Sequence, residues 1–557
     1  MKNILIPIFF VIIKFSGSKC HLFYTSKTSD QIIVHERLPA DGDWVSKGYF
    51  NNSINSTGFG YLEIETNTLH DPKDQAFHAG YLEGTLTSQL IYSQWFNVVD
   101  FFCKQRSNDC STLRKFVLKN KEWIEQQAET KRHDPYWYQV NLFHTQLDGI
   151  CSAYNSNLQL PVLRCSDILL INLLFELTDI QCIIDANKTE TKPSASDSSD
   201  HCSALIKLMP GNKDVYFGQN TWIDYSVMLR ILKKYILPFK TSENSTSTIP
   251  GAEMSMSSYP GTLLSIDDFY LVSSGLAVTE TTNSVHNKAL FKGIGPEGIV
   301  WEGIRSMIAN RLATDGETWH KIFSQFNSGT CNNQWMVFDY NKFKPGEKLS
   351  EGSLWISEQM PGKIVRMDVT DVLNDKGYWS SYNVPYSEEI YRISGYAEKM
   401  LEPDGPWFSY TETPRAKLFK RDHATVIDMS SFMKLMRSND FRNDDLAKCN
   451  CSPAYSGKGA IAAREDLNPA DGNGMNERLA RGAIDAKLTN RELFKKLQFY
   501  AVAGPTTGTD NKLPVFRWST SSFSHIPHLS HPDEFNFEPV LKEWSLRSVF
   551  QNVSESV

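Results

Sequence analysis

Several features that would assign a sequence to a common class are missing from this one. Ten cysteines among 557 residues are too few for a disulfide scaffold. Lys and Arg form no block, and a net charge of -7 with a pI near 6.0 argues against a nucleic-acid partner. The motifs G-x-S-x-G and H-E-x-x-H and the P-loop are absent, which disfavours the usual serine hydrolases, zinc proteases and NTPases. The sequence also contains no cofactor motif, so we expect no cofactor.

Long apolar runs are scarce, and the run at the N-terminus is short. Lys2 precedes apolar residues from Ile4 to Ile13, and small residues follow, which is the layout of a secretory signal peptide over residues 1–19. A membrane-spanning helix needs about 20 apolar residues, and Lys14 interrupts this run earlier. No other run is long enough, so we expect a mature protein without a transmembrane segment that enters the secretory pathway.

Six glycosylation triplets of the form N-x-S/T fit passage through the secretory pathway. Because such triplets also arise by chance, they only support the signal-peptide interpretation. The acceptor residues are Asn51, Asn55, Asn187, Asn244, Asn450 and Asn552.

Two pairs of cysteines are close enough in sequence to form local disulfides, Cys103 with Cys110 and Cys449 with Cys451. The other cysteines cannot be paired from sequence.

Other clusters of polar residues favour structural interpretations. His525, His528 and His531 lie in a Ser-rich loop with Pro and without helical register, which favours an ordinary polar loop over a zinc site. Asp267 and Asp268 precede an apolar segment and are more typical of a turn than of an acid/base pair. We therefore predict no metal site.

Hydrophobic periodicity predicts a mixture of helices and strands. Helical spacing is found at 76–103, 113–129, 137–154, 166–184, 225–239, 298–325 and 424–440. Strand signals are found at 58–66, 257–282, 334–340, 353–369 and 378–384. This order predicts an α+β or layered α/β protein in which helices cover sheets.

The stretch from Lys192 to Trp222 carries the chemistry. Its first ten residues are Ser/Asp-rich and predict a solvated loop open to proteases. An apolar segment, the turn PGNKD and a β-branched segment follow, which predict a hairpin beginning at Cys202. If the chain is cut between His201 and Cys202, that cysteine carries a thiol and a free α-amine, a nucleophile with its own base. The alternative is a small buried hydrophobic residue, as most free cysteines are.

With these residues in view, the chain resembles the phospholipase B-like family, the lamina-ancestor-like proteins of the N-terminal-nucleophile hydrolase superfamily. The resemblance covers nearly all of the mature chain and rests on the strings CSALIKLMPG, SSYPGTLLSIDDFYLVSSGL, TTNSVHNKAL, FSQFNSGTCNNQWMVFDY, YWSSYNVPY, PRAKLFKRD, REDLNPADG and GPTTGTDNKLPVFRW. It implies an α+β fold, a four-layer αββα sandwich. It also implies a precursor that cuts itself or is cut before the cysteine. Residues 20–185 and 202–557 would stay associated, and residues 186–201 would form a cleaved or excised linker.

The resemblance also implies site residues. Cys202 would be the nucleophile, Asn383 an oxyanion donor, and Arg415 a charge that lowers the thiol pKa or binds an anionic head group. Trp222 and Thr282 would shape the pocket and position the other groups.

Two positions depart from the family pattern. Gln219 stands where the family usually has a histidine, so a proton-handling role there is lost and only hydrogen bonding remains. Cys331 stands where an aromatic residue is common. Both departures bear on rate and substrate preference more than on the fold.

The resemblance therefore implies a lysosomal or secreted phospholipase B-like acyl hydrolase that cleaves fatty acyl esters of phospholipids. An amidase acting on N-acyl amides is the first alternative, because a thiolate attacks either carbonyl. A lysosomal lipid-binding glycoprotein with little turnover is an alternative of another class. The sequence leaves open whether the protein forms a homodimer.

Overall fold

The structure is a computed structural model that describes residues 22–28, 31–40, 42–105, 107–188, 202–508 and 513–546. The predicted signal peptide, His201 and Asn552 lie outside the described residues. Across these ranges, no helix has the length and apolar character needed to cross a membrane.

The described residues form helices and strands in the following order along the chain. The strands are β1 Phe23–Lys27, β2 Ile32–His35, β3 Ser46–Ser53, β4 Phe59–Thr66, β5 Ser203–Leu208, β6 Val215–Asn220, β7 Trp222–Asp224, β8 Arg230–Ile236, β9 Glu253–Ser258, β10 Phe269–Val272, β11 Leu276–Thr282, β12 Asn333–Asp339, β13 Leu354–Met360, β14 Lys363–Asp368, β15 Tyr378–Ser381, β16 Arg481–Ala483, β17 Asp485–Thr489, β18 Tyr500–Ala503, β19 Phe516–Arg517, β20 Glu534–Phe535 and β21 Val540–Leu541.

The α-helices are α1 Ile54–Thr57, α2 Pro72–Gln94, α3 Phe101–Gln105, α4 Ser107–Thr130, α5 Pro135–Ser156, α6 Cys165–Asn172, α7 Leu177–Ala186, α8 Glu302–Leu312, α9 Gly316–Phe323, α10 Thr370–Lys376, α11 Glu388–Ile393, α12 Tyr396–Lys399, α13 Pro414–Asp422, α14 Met429–Met436 and α15 Arg491–Phe494. A π-helical segment, Trp95–Asp100, joins α2 to α3.

Two large sheets form the centre of the α+β fold. The first has eleven strands in the order β14-β13-β12-β11-β10-β9-β8-β4-β3-β1-β2, and the second has six in the order β15-β5-β6-β17-β18-β21. Neighbouring strands are antiparallel except for β4 and β8, which are parallel. The first sheet therefore contains strands from both sides of the predicted linker, and these strands meet where β4 pairs with β8.

Alternating side chains on the strands place the first sheet between two cores. On β12, Trp335 and Val337 face a core shared with helices, while Met336 and Phe338 face a core shared with the second sheet. This is the period of two that a strand buried on both faces requires. A third core lies between the second sheet and helices α13 and α14. The resulting layer order is helix, sheet, sheet, helix.

Most of the predicted elements are confirmed, and one is wrong. The segment from Tyr225 to Phe239 was expected to be helical, but Arg230–Ile236 is strand β8 at the middle of the first sheet. Every residue of this strand is buried, so its apolar residues do not alternate with exposed polar ones. Lys233 is buried because it pairs with Glu83 of α2, Nζ to Oε1 at 2.7 Å. Without that alternation, a strand and a helix cannot be separated by periodicity.

Three disulfides are present among the described residues. Two are the pairs that sequence spacing allowed, Cys103–Cys110 and Cys449–Cys451. The third joins Cys151 at the end of α5 to Cys165 at the start of α6, a pairing that the sequence left open.

Five of the six predicted glycosylation residues lie in the described ranges, all at exposed positions. Exposure is what modification requires, and glycosylation itself stays a prediction. The side chain of Asn187 is held in place by two hydrogen bonds, because its Nδ2 donates to the carbonyls of Ile183 and Ile294.

Candidate active site

Cys202 immediately precedes β5, the strand that opens the predicted hairpin. On β5, Ala204, Ile206 and Leu208 face the core between the sheets, and Leu205 faces the outer helices. The same alternation directs Cys202 inward, and its side chain is fully buried. Its φ of 78° lies in the left-handed region, which is costly for a residue with a Cβ atom. The backbone is therefore strained at this cysteine.

The Cys202 thiol is surrounded by polar groups. Its Sγ lies 3.9 Å from Oε1 of Glu280 on β11. Burial raises the pKa of the thiol well above its usual range, and the Glu280 carboxyl raises it further, while a hydrogen bond from the backbone N–H of Trp222 and the charge of Lys487 lower it. In the continuous chain the thiol is therefore protonated at neutral pH.

Arg415, near the start of α13, holds the backbone beside the thiol. Its Nη1 donates to the carbonyl oxygen of Cys202 at 2.7 Å and to Oγ of Ser203 at 3.2 Å. Its guanidinium carbon lies 4.1 Å from the ring centroid of Trp222. That Arg415 lowers the thiol pKa or binds an anionic head group stays a prediction.

Trp222 and Asn220 connect the far end of β6 to the start of β5. Trp222 Nε1 donates to Asn220 Oδ1 at 3.0 Å and to the carbonyl of Ile461 at 3.2 Å. The same Asn220 Oδ1 accepts the backbone N–H of Ser203 at 3.1 Å. These bonds fix the indole against Arg415 and fix the first residues of β5.

Asn383 reaches the site from the strand on the other side of β5. The register pairs Ser381 with Ala204, so the residues that follow β15 run alongside Cys202. Asn383 Nδ2 donates to the carbonyl oxygen of Thr282 at 2.6 Å, and the φ of Asn383 is 68°. The two predicted residues Asn383 and Thr282 thus contact each other, through the Thr282 main chain.

Gln219 lies on β6, opposite Ala204, and bridges the two sheets. Its Nε2 donates to the carbonyl oxygens of Asp267 at 2.9 Å and of Glu280 at 3.1 Å. Among the described residues its Oε1 has no hydrogen-bond partner. Gln219 therefore holds the Glu280 main chain next to the thiol.

Four buried charged side chains form an ion network next to Gln219. Arg230 contacts Asp267 at 2.6 Å and Asp485 at 2.7 Å, and Lys487 contacts the same two carboxylates at 2.8 and 3.0 Å. All four side chains are at most 1% exposed. Burial alone would raise the pKa of Asp267, but Arg230 and Lys487 lower it below its usual range. Thr221 ties the network to β6 by donating its N–H to Asp485.

The structure gathers the residues singled out in the sequence, Cys202, Gln219, Trp222, Thr282, Asn383 and Arg415, around the start of β5. Sequence reasoning missed Asn220, Glu280 and Lys487, and it interpreted Asp267 only as a turn residue. The Asp267-Asp268 pair was a detectable signal, because two adjacent carboxylates before a buried strand require buried partners. Among the described residues, no cluster of His, Cys, Asp and Glu has the arrangement of a metal site.

The fold and the site define a class of protein, an α+β sandwich with a buried cysteine at the start of a central strand and with arginine, amide and carboxylate groups around it. The chain belongs to the phospholipase B family, whose sequence model matches residues 46–542. It is 40% identical over 544 residues to "Putative phospholipase B-like 2" of Bos taurus, covering 95% of this chain and 90% of the relative. It is 41% identical to the Homo sapiens protein of that name over 527 residues, covering 92% and 87%. "Putative phospholipase B-like 1" of Caenorhabditis elegans is 39% identical over 536 residues, covering 94% and 90%.

Proposed function

We propose that this protein is an N-terminal-nucleophile hydrolase that cleaves fatty acyl ester bonds of phospholipids with Cys202. The observation that carries the proposal is the setting of Cys202 at the start of β5, with Arg415 on its carbonyl oxygen and Glu280 at its thiol. Membership of the phospholipase B family supports the choice of substrate class.

The proposal includes maturation by a cut before Cys202. The uncut thiol is fully buried and protonated, and its α-nitrogen is part of a peptide bond, so it is closed to an acyl substrate. A cut frees the α-amine as a base, and it also relaxes the positive φ, because the nitrogen is no longer part of a peptide bond. The two fragments, residues 20–185 and 202–557, would stay associated, since β4 and β8 pair within one sheet. Residues 186–201 would be the cleaved or excised linker, and residues 1–19 the signal peptide.

In the mature enzyme, the α-amine takes the thiol proton and the thiolate attacks the acyl carbonyl carbon. The amine then protonates the leaving alcohol, and water hydrolyses the thioester that remains. Asn383 is the proposed oxyanion donor, since an amide N–H can donate to a developing oxyanion and the register of β15 with β5 places Asn383 beside Cys202. Arg415 holds the Cys202 carbonyl, and Trp222 holds Arg415.

The test uses purified mature protein with a panel of phospholipids and N-acyl amides. We expect a larger fragment whose first residue is Cys202, release of fatty acid from phospholipids, and loss of this release in Cys202→Ser. Hydrolysis of the N-acyl amides alone would show that the protein is an amidase and not an esterase. Lipid binding without turnover, or unchanged hydrolysis in Cys202→Ser, would contradict the proposal. A lysosomal or secreted location is tested by fractionating cells and medium.

A further inference from the structure

Glu280 is a buried carboxyl group directed at the Cys202 thiol. It lies on β11 opposite Trp335 of β12, and it is 1% exposed. One carboxyl oxygen, Oε1, is the acceptor that the thiol faces at 3.9 Å. The other oxygen, Oε2, is buried and has no hydrogen-bond partner among the described residues. A buried carboxyl oxygen without a donor is costly for a purely structural group.

Several charged groups surround this carboxyl. Glu302 of α8, Asp267 and Asp268 of the preceding loop, and Lys487 of β17 all act on it. Burial raises the pKa of Glu280 well above its usual range, Glu302 and Asp267 raise it further, and Lys487 and the Cys202 thiol lower it. The pKa of the Cys202 thiol is raised as well. A base whose pKa is raised toward that of a thiol is better matched to accept its proton.

Self-cleavage before Cys202 would need a base in the uncut chain. In the mature enzyme the α-amine of Cys202 accepts the thiol proton, but in the uncut chain that nitrogen is an amide and cannot do so. Within the described ranges, Glu280 is the only carboxylate with a hydrogen bond to Sγ. The neighbouring Gln219 cannot be this base, because its amide does not accept a proton at neutral pH, and its Nε2 donates to the Glu280 carbonyl at 3.1 Å.

We propose that Glu280 is the general base for self-cleavage of the chain before Cys202. The Cys202 S–H proton passes to the Glu280 carboxylate, and the thiolate attacks the carbonyl carbon on the other side of its own peptide nitrogen. A C–S bond forms and the C–N bond breaks, and the nitrogen takes the proton back from Glu280. Water then hydrolyses the thioester, which releases a carboxylic acid and restores the thiol. This inference rests on the proposed role of Cys202 as nucleophile.

The test follows fragment formation in purified full-length chain, incubated between about pH 4 and about pH 8. Wild-type cleavage should accelerate as the pH rises toward the raised pKa of Glu280, because only the ionised carboxyl accepts a proton. Glu280→Gln should cleave roughly a hundredfold more slowly or worse, without this rise. Glu280→Asp keeps the carboxyl and should retain the rise at a reduced rate.

Glu302→Gln is the matched control. It removes a neighbouring buried carboxyl that does not contact Sγ and that accepts a hydrogen bond from Asn333 Nδ2, which a glutamine oxygen can also accept. Removing this like charge lowers the pKa of Glu280, so the rise should move to lower pH while cleavage continues. Equal melting temperatures for the Gln variants would show that each is folded.

Two results separate the possible failures. If Cys202→Ala is cut before residue 202 as fast as wild type, the proposed nucleophile itself is wrong. If Cys202 is required but folded Glu280→Gln matures at the wild-type rate with the wild-type pH profile, only the role of Glu280 is overturned.

Discussion

The buried ion network below the site should contribute strongly to stability, and Asp485→Asn tests this. Asp485 contacts Arg230 and Lys487, and it accepts the backbone N–H of Thr221 at 2.9 Å. In wild type, the two positive charges of Arg230 and Lys487 balance the two negative charges of Asp267 and Asp485. Asparagine can keep the Thr221 bond, but the remaining three charges sum to +1 in a site that excludes water.

The magnitude follows from leaving a buried charge unpaired. Removing one partner of a buried ion pair costs about 3 to 5 kcal/mol. With an unfolding entropy of about 2 cal/mol/K per residue, a chain of this size has about 1 kcal/mol/K in total. Asp485→Asn should therefore lower the melting temperature by about 3 to 5 °C. The exposed pair of Lys27 and Asp74 offers the control, since Asp74→Asn should cost at most about 1 kcal/mol.

Thermal unfolding of purified protein, followed by circular dichroism at a fixed scan rate, measures both changes. The double variant Asp485→Asn with Lys487→Met restores a balanced pair of Arg230 and Asp267. It should therefore melt higher than the sum of the two single changes predicts. Equal melting temperatures for Asp485→Asn and Asp74→Asn, or strictly additive losses in the double variant, would refute the argument that charge balance sets the stability of this network.

Two further predictions concern the site and acid stability. Arg415→Met should reduce acyl release roughly tenfold to a hundredfold, because it removes the charge-assisted bond to the Cys202 carbonyl. Initial rates measure this, and an unchanged rate would show that the bond is not needed. His320 is fully buried, and burial lowers its pKa to about 3 from the ordinary 6.5, so the unfolded state binds the extra proton and stability falls as the pH drops below 6.5. His320→Phe should therefore lose less melting temperature than wild type between about pH 7 and about pH 5, while the exposed His525→Phe should follow wild type.

Local features of the chain were predictable because they depend on neighbouring residues. The hairpin at Cys202 follows from the turn PGNKD between two apolar segments, and β5 and β6 match it. Helices α4 and α5 follow from apolar residues at helical spacing, and both are long enough for that signal to be clear. The α+β class, the position of the cysteine at the start of a strand and the local disulfides were therefore within reach of the sequence.

Three-dimensional packing decided what local patterns could not. Arg230 and Lys233 of β8 are buried because their partners come from β17, the loop before β10 and helix α2. No stretch of sequence around β8 contains those partners. The arginine and lysines of β8 were therefore interpreted as the exposed, polar face of a helix.

The sequence by itself determined where the hairpin begins and that a cysteine stands at its first position. The tertiary structure alone decided that this cysteine faces Glu280, 78 residues further along the chain, and that Arg415 holds its carbonyl from 213 residues away. The physical reason is that turns and periodicity arise from short-range backbone preferences. The proton partners of a buried thiol, in contrast, depend on which layers pack together, because only packing removes the water that would otherwise screen them.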